Sequence, residues 1–125
     1  MTCYAIGLLH DVRMGADIVT YLEGIDATLA PFGGRFLIHG GPCEVLEGSG
    51  GSDLIVIAFP DRAAARSWYG SPAYQALLPL RRCNARGEVF LIDGVEEGHQ
   101  ATDILRAGQK AAPPQRCAEA GAGRR

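Results

Sequence analysis

The chain has 125 residues, of which 47% are hydrophobic and 21% charged, and its formal net charge is −2. That length fits one small domain, and 14 acids against 12 bases leave no basic excess for neutralising nucleic-acid phosphates. No run of 18 apolar residues occurs, and no basic segment precedes the apolar stretch after Met1, so neither a membrane span nor a secretory signal is expected and a cytoplasmic location is the default.

In chain order, Cys3–Leu9 is short and apolar and predicts a first strand. Ile18, Leu22, Ile25 and Leu29 then recur at spacings of 4, 3 and 4, the stripe of an amphipathic helix that Pro31 and Gly33-Gly34 bring to an end. Arg35–His39 predicts a second strand, broken by Gly40-Gly41-Pro42 before a short extended piece at Cys43–Leu46 and a glycine-rich turn at Glu47–Ser52. Leu54–Phe59, the sequence LIVIAF, predicts the strongest strand. An alanine-rich helix follows at Arg62–Tyr69, and Ser71-Pro72 supplies a cap and first-turn proline for a further helix through Leu80. Glu88–Ile92 predicts the last strand.

All nine aromatic residues lie in the first 90 positions, and 13 of the 30 residues from Glu96 onward are Ala, Gly or Pro. Such a segment buries too little apolar surface to offset its ordering entropy. The expected organisation is therefore a folded domain over residues 1–95 and a mostly disordered tail over 96–125, with one helical turn around Thr102–Ala107. Cys3, Cys43, Cys83 and Cys117 stand far apart, without the spacing of a zinc site or a redox dithiol, so free thiols and no metal or cofactor are expected.

The order β-α-β-β-α-β is the ferredoxin-like α+β arrangement, an antiparallel four-stranded sheet with helices on one face. Its strands do not alternate apolar and polar residues as a sheet with one wet face would. Tyr4, Ile6 and Leu8 oppose Cys3, Ala5 and Leu9, while Ile55, Ile57 and Phe59 oppose Leu54, Val56 and Ala58. Helices cover one face alone, so the other needs a partner, and a second copy of the same sheet is the economical cover. A homodimer built as an α+β barrel is the expectation.

These segments resemble a known family. Gly33-Gly34-Arg35-Phe36-Leu37, Gly40-Gly41-Pro42, Glu44-Val45-Leu46-Glu47-Gly48, Ile57-Ala58-Phe59-Pro60-Asp61, Ala65-Arg66-Ser67-Trp68-Tyr69, Ser71-Pro72-Ala73-Tyr74-Gln75, Leu80-Arg81 and Asp93-Gly94 occur in the order seen in the bacterial domain-of-unknown-function family numbered 1330, within the dimeric α+β barrel superfamily. The resemblance covers residues 2–95 and departs at His39, where the family more often carries Arg or a small residue. It implies the fold and the dimer but no single reaction, since relatives in the superfamily include cofactor-free monooxygenases, isomerases, haem-dependent enzymes and stress proteins. Their commonest shared property is a small hydrophobic or aromatic molecule held in a cleft of each subunit.

Two groups of residues stand out as chemistry-bearing. By the two-residue period Arg35, Leu37 and His39 share one face of the second strand, so a guanidinium fork and an imidazole are candidates to grip an anion and exchange a proton with it; the bland alternative is an edge strand facing water. Trp68, Tyr69 and Tyr74 flank the helix break at Gly70 and are candidates to wall a ligand gap with Arg81 as its cation, against core packing for the aromatics and a helix C-terminal role for Arg81. Glu44 and Glu47 are expected to be solvated, and His10-Asp11 to mark a turn. No phosphate-cradling glycine motif and no nucleophile elbow is present. Three functions follow: a binder of a small aromatic or carboxylate compound, a cofactor-independent isomerase or monooxygenase-like enzyme using His39 as acid or base, and an interaction module working through its tail.

Overall fold

Runs of β-branched and aromatic residues bounded by glycine and proline fold here into four strands: β1 (Cys3–His10), β2 (Arg35–His39), β3 (Asp53–Phe59) and β4 (Arg86–Asp93). The computed structural model describes residues 1–106, and the chain divides into two compact units at Val95 and Glu96. The sheet is antiparallel with strand order β2-β3-β1-β4, the ferredoxin-like order, its two central strands being the most apolar. Helices α1 (Ala16–Leu29), α2 (Arg62–Tyr69) and α3 (Pro72–Arg82) complete the first unit, and α4 (Asp103–Arg106) is a single turn in the second. The expected helical turn near residue 102 corresponds to α4, whereas Cys117 and most of the expected tail lie outside the described residues.

Cross-strand pairing sorts the side chains into two faces. Cys3, Ala5, Ile57 and Phe59 lie on the face that packs against the helices and are almost wholly buried. Their core is completed by Tyr21, Ile25 and Leu29 from α1, Ala65 and Trp68 from α2, and Tyr74 and Leu78 from α3. Tyr4, Ile6, Leu54, Val56, Phe90 and Ile92 share the opposite face by register, and Phe90 and Ile92 are 43% and 51% exposed. No described helix is long and apolar enough to cross a membrane.

Three local readings of the sequence are corrected. The segment Cys43–Leu46 forms no strand and belongs to an irregular loop between β2 and β3, which contains five glycines at positive φ, Gly40, Gly41, Gly48, Gly50 and Gly51. In α1 the buried stripe runs through Ile18, Tyr21, Ile25, Thr28 and Leu29, so Tyr21 takes the inward place assigned to Leu22, which is 39% exposed. In β2 the register slips between Phe36 and Ile38: Arg35 pairs with Ala58 and Phe36 with Ile57, but Ile38 pairs with Val56 and His39 with Ile55. Leu37 is the extra residue of a β-bulge, and an extra residue reverses the alternation beyond it. Arg35 and His39 therefore lie on opposite faces of the sheet, and His39 joins Phe36 on the helix side.

The break between α2 and α3 is built by caps. Asp61 accepts from the Ala64 amide at 2.8 Å to open α2. Ser71 accepts from the Tyr74 amide at 3.3 Å and donates to the Trp68 carbonyl at 2.7 Å, so one hydroxyl closes α2 and opens α3.

A candidate ligand cavity between sheet and helices

The helix side of the sheet encloses a cavity of about 300 Å³, at the lower end of the range for small-molecule sites. Ala5, Ile55 and Ile57 form its sheet wall, and Ile18 and Ile25 of α1 face them; Trp68 and Tyr74 also line it. Its ionisable lining consists of Tyr21, His39, Asp53, Tyr74 and Arg81.

Backbone ties explain how α1 and the end of α3 come to share one wall. The Arg13 amide donates to the Asn84 carbonyl at 2.7 Å, and the Arg13 guanidinium donates to the Cys83 carbonyl at 2.6 Å. Asn84 in turn donates to Asp17 at 3.1 Å and to the Leu80 carbonyl at 2.8 Å. The last turn of α3, which carries Arg81, is thus fastened to the first turn of α1, one turn before Tyr21.

At that junction the hydroxyls of Tyr21 and Tyr74 are hydrogen-bonded at 2.7 Å, with the rings edge to face at 6.1 Å. Burial first, and then the neighbouring Tyr74, push the Tyr21 hydroxyl far above the usual phenol range, partly offset by Arg81. Tyr21 is consequently a neutral donor at any physiological pH. Burial alone would lower the pKa of Arg81, but the Tyr74 and Tyr21 oxygens facing it outweigh that and raise it, so the guanidinium stays charged.

Of the residues singled out from sequence, Trp68, Tyr74, Arg81 and His39 all line this cavity. Trp68 is 2% exposed, packs on Phe59 at 5.4 Å and on Tyr74 at 4.2 Å, and is therefore a core residue with a face toward the cavity. Tyr69 does not line it: its ring packs against Tyr74 at 5.5 Å and Trp68 at 6.0 Å, filling the helix break that was expected to gape. Arg35 is exposed on the far face of the sheet, and the bulge at Leu37 is the reason. His39 sits at the exposed end of β2 with its ring stacked on Phe36 at 4.4 Å. Glu44 and Glu47 are exposed in the loop, while His10 is held by Ser52 at 2.9 Å and lies 3.9 Å from Glu88. Asp11 adopts φ 54, a left-handed conformation, at the turn that follows β1.

Sequence reasoning missed Tyr21 and Phe36. Tyr21 lies three residues after Ile18 and four before Ile25, a spacing that fits the stripe as well as Leu22 does. Nothing in the order of residues marks Leu37 as a bulge, so Phe36 was not assigned to the helix side. Among the described residues no three His, Cys, Asp or Glu side chains converge as metal ligands.

The architecture and cavity define a ferredoxin-like α+β domain. The model of the domain-of-unknown-function family DUF1330 matches residues 2–95, and the chain belongs to that family. A comparison with proteins of curated function returned no match. Among solved structures, the chain is similar to a protein of unknown function from Rhodopseudomonas palustris, with 16% identity and a TM-score of 0.58 over 77% of this chain and 84% of the other. SnoaB, a cofactor-independent oxygenase from Streptomyces nogalater, shares 16% identity with a TM-score of 0.53 over 79% and 98% of the two chains. A dimeric ferredoxin-like protein of unknown function from Thermobifida fusca shares 14% identity with a TM-score of 0.52 over 74% and 91%. At these identities the likeness is one of fold.

Proposed function

We propose that this chain is a cytoplasmic homodimer that binds a small aromatic or carboxylate compound in the cavity between sheet and helices of each subunit. The observation that carries this reading is the cavity itself: about 300 Å³ walled chiefly by aliphatic and aromatic side chains, with a few polar groups from α1, α3 and the end of β2. Such a lining gains from excluding water around an apolar ligand body while the polar groups fix its orientation. The dimer is supported by the apolar face of Ile6, Val56, Phe90 and Ile92, which the helices of this chain leave uncovered, and by the dimeric relative of the same fold. A thermal-shift survey of aromatic acids, phenols and neutral aromatics tests the binding reading. Stabilisation by members of one class is the expected result, and a melting temperature indifferent to all of them sinks it.

A second reading, a cofactor-independent isomerase or oxygenase, is favoured by His39 on the cavity lining and by the fold shared with SnoaB. In it His39 is the acid or base, and of the two arginines that could clamp an anion, Arg35 and Arg81, it is Arg81 that lines the same cavity. Once a turned-over substrate is in hand, His39→Ala should lower its kcat about a hundredfold or more, the usual contribution of a positioned acid or base, and unchanged turnover rejects the assignment.

A further inference from the structure

The Tyr21, Tyr74 and Arg81 cluster has more donors than the protein itself uses. Two facing phenols carry two hydroxyl protons, and the 2.7 Å bond between them consumes one. The second has no acceptor among the described residues. Arg81 is half-buried, and no carboxylate among the described residues lies within ion-pair distance of it. A guanidinium taken partly out of water beside an apolar cavity is ordinarily matched by an anion. Its neighbours are instead the Tyr21 and Tyr74 hydroxyls, whose oxygens favour the guanidinium but supply no anion while they keep their protons.

We infer that Arg81 with the Tyr21–Tyr74 pair forms a carboxylate receptor on the helix wall of the cavity, and that the ligand is a monocarboxylate with an aromatic or branched apolar body. The inference rests on the reading of this cavity as a ligand site and adds the charge, the orientation and the residues that read them. A guanidinium fork beside a phenol donor matches the two oxygens of a carboxylate, whereas a neutral amide satisfies the phenol but leaves the guanidinium unmatched. Asp53, exposed at the start of β3, also lines the cavity, and its carboxylate disfavours an anion beside it. The carboxylate end therefore meets α1 and α3, and the apolar body lies against Ile55, Ile57 and Trp68.

The test is isothermal titration of the full chain with two matched probes, 3-phenylpropanoate and 3-phenylpropanamide, at neutral pH. The acid should bind about tenfold or more tightly than the amide, the discrimination expected of one charge-assisted hydrogen bond set. Arg81→Met should erase the preference, bringing the acid to the affinity of the amide or below it, and Arg81→Lys, which keeps the charge and loses the fork, should retain part of it. Equal binding of the two probes by the wild-type chain overturns the carboxylate receptor and leaves the ligand cavity standing. Binding of neither probe overturns both. A preference that survives in Arg81→Met, with the fold intact by circular dichroism, rejects the role given to Arg81.

Discussion

The indole nitrogen of Trp68 donates to the Thr28 hydroxyl at 2.9 Å, and that hydroxyl donates onward to the Ile25 carbonyl at 2.7 Å. Both side chains are buried, so the threonine is the means by which a polar edge of the indole is accommodated between α1 and α2. Thr28→Val keeps the shape and removes the acceptor, which should cost about 1–3 kcal/mol in urea unfolding because the indole N–H is left unsatisfied. Thr28→Ser should restore most of it. Equal stability of the valine variant and the wild type would show that the bond contributes nothing.

Gly34 stands where backbone and core meet. A Cβ added there would lie 2.7 Å from the Phe59 ring and 2.8 Å from Leu29 Cδ2, and both of those side chains are fully packed. Gly34→Ala should destabilise the fold by about 1–3 kcal/mol through overpacking. Its neighbour Gly33 has φ 72, so Gly33→Ala should also destabilise, here through backbone strain. The pair of chemical denaturation midpoints checks both.

Stability should fall at alkaline pH. Burial chiefly raises the pKa of Cys3 from its ordinary 9.0, and burial followed by Tyr74 raises Tyr21 from its ordinary 10.0. Both groups hold their protons more tightly when folded, so their contribution is complete below those ordinary values and declines as pH rises past them, where the unfolded chain deprotonates first. The slope contributed by Tyr21 should reach about 1.4 kcal/mol per pH unit, and Cys3 adds to it in the same direction. Tyr21→Phe should flatten the limb above pH 10, and an unchanged limb in that variant would contradict the assignment.

Much of the fold was legible because it depends on local patterns. The bounds of β2 and α2 agree with the predicted segments, and the Ser71 cap and Pro72 first turn are where the sequence put them. The candidate site was legible in part, through Trp68, Tyr74, Arg81 and His39. What was illegible is non-local: the partnership of Tyr21 with Tyr74 spans 53 residues, and the face of His39 depends on a bulge fixed by pairing with β3. Tyr69 failed as a lining residue because its neighbours pack over the helix break, which spacing along the chain does not reveal.

Association should proceed through the open sheet face. Ile92→Glu puts a charge on that face at a residue 51% exposed within the single chain, so the subunit should tolerate it while a face-to-face dimer should not. Light scattering should give about twice 13.3 kDa for the wild type and a single-chain mass for the variant, with unchanged far-ultraviolet circular dichroism. A wild-type mass near 13.3 kDa at micromolar concentration rejects the dimer.

The bulge at Leu37 has a bearing on aggregation as well as on the cavity. β2 is an edge strand, and a flat edge of unpaired amides and carbonyls is a template onto which strands of other molecules add. A bulge near the middle of a five-residue strand twists and interrupts that template. The same residue that turns His39 inward thus makes this margin of the sheet a poor seed for runaway strand addition.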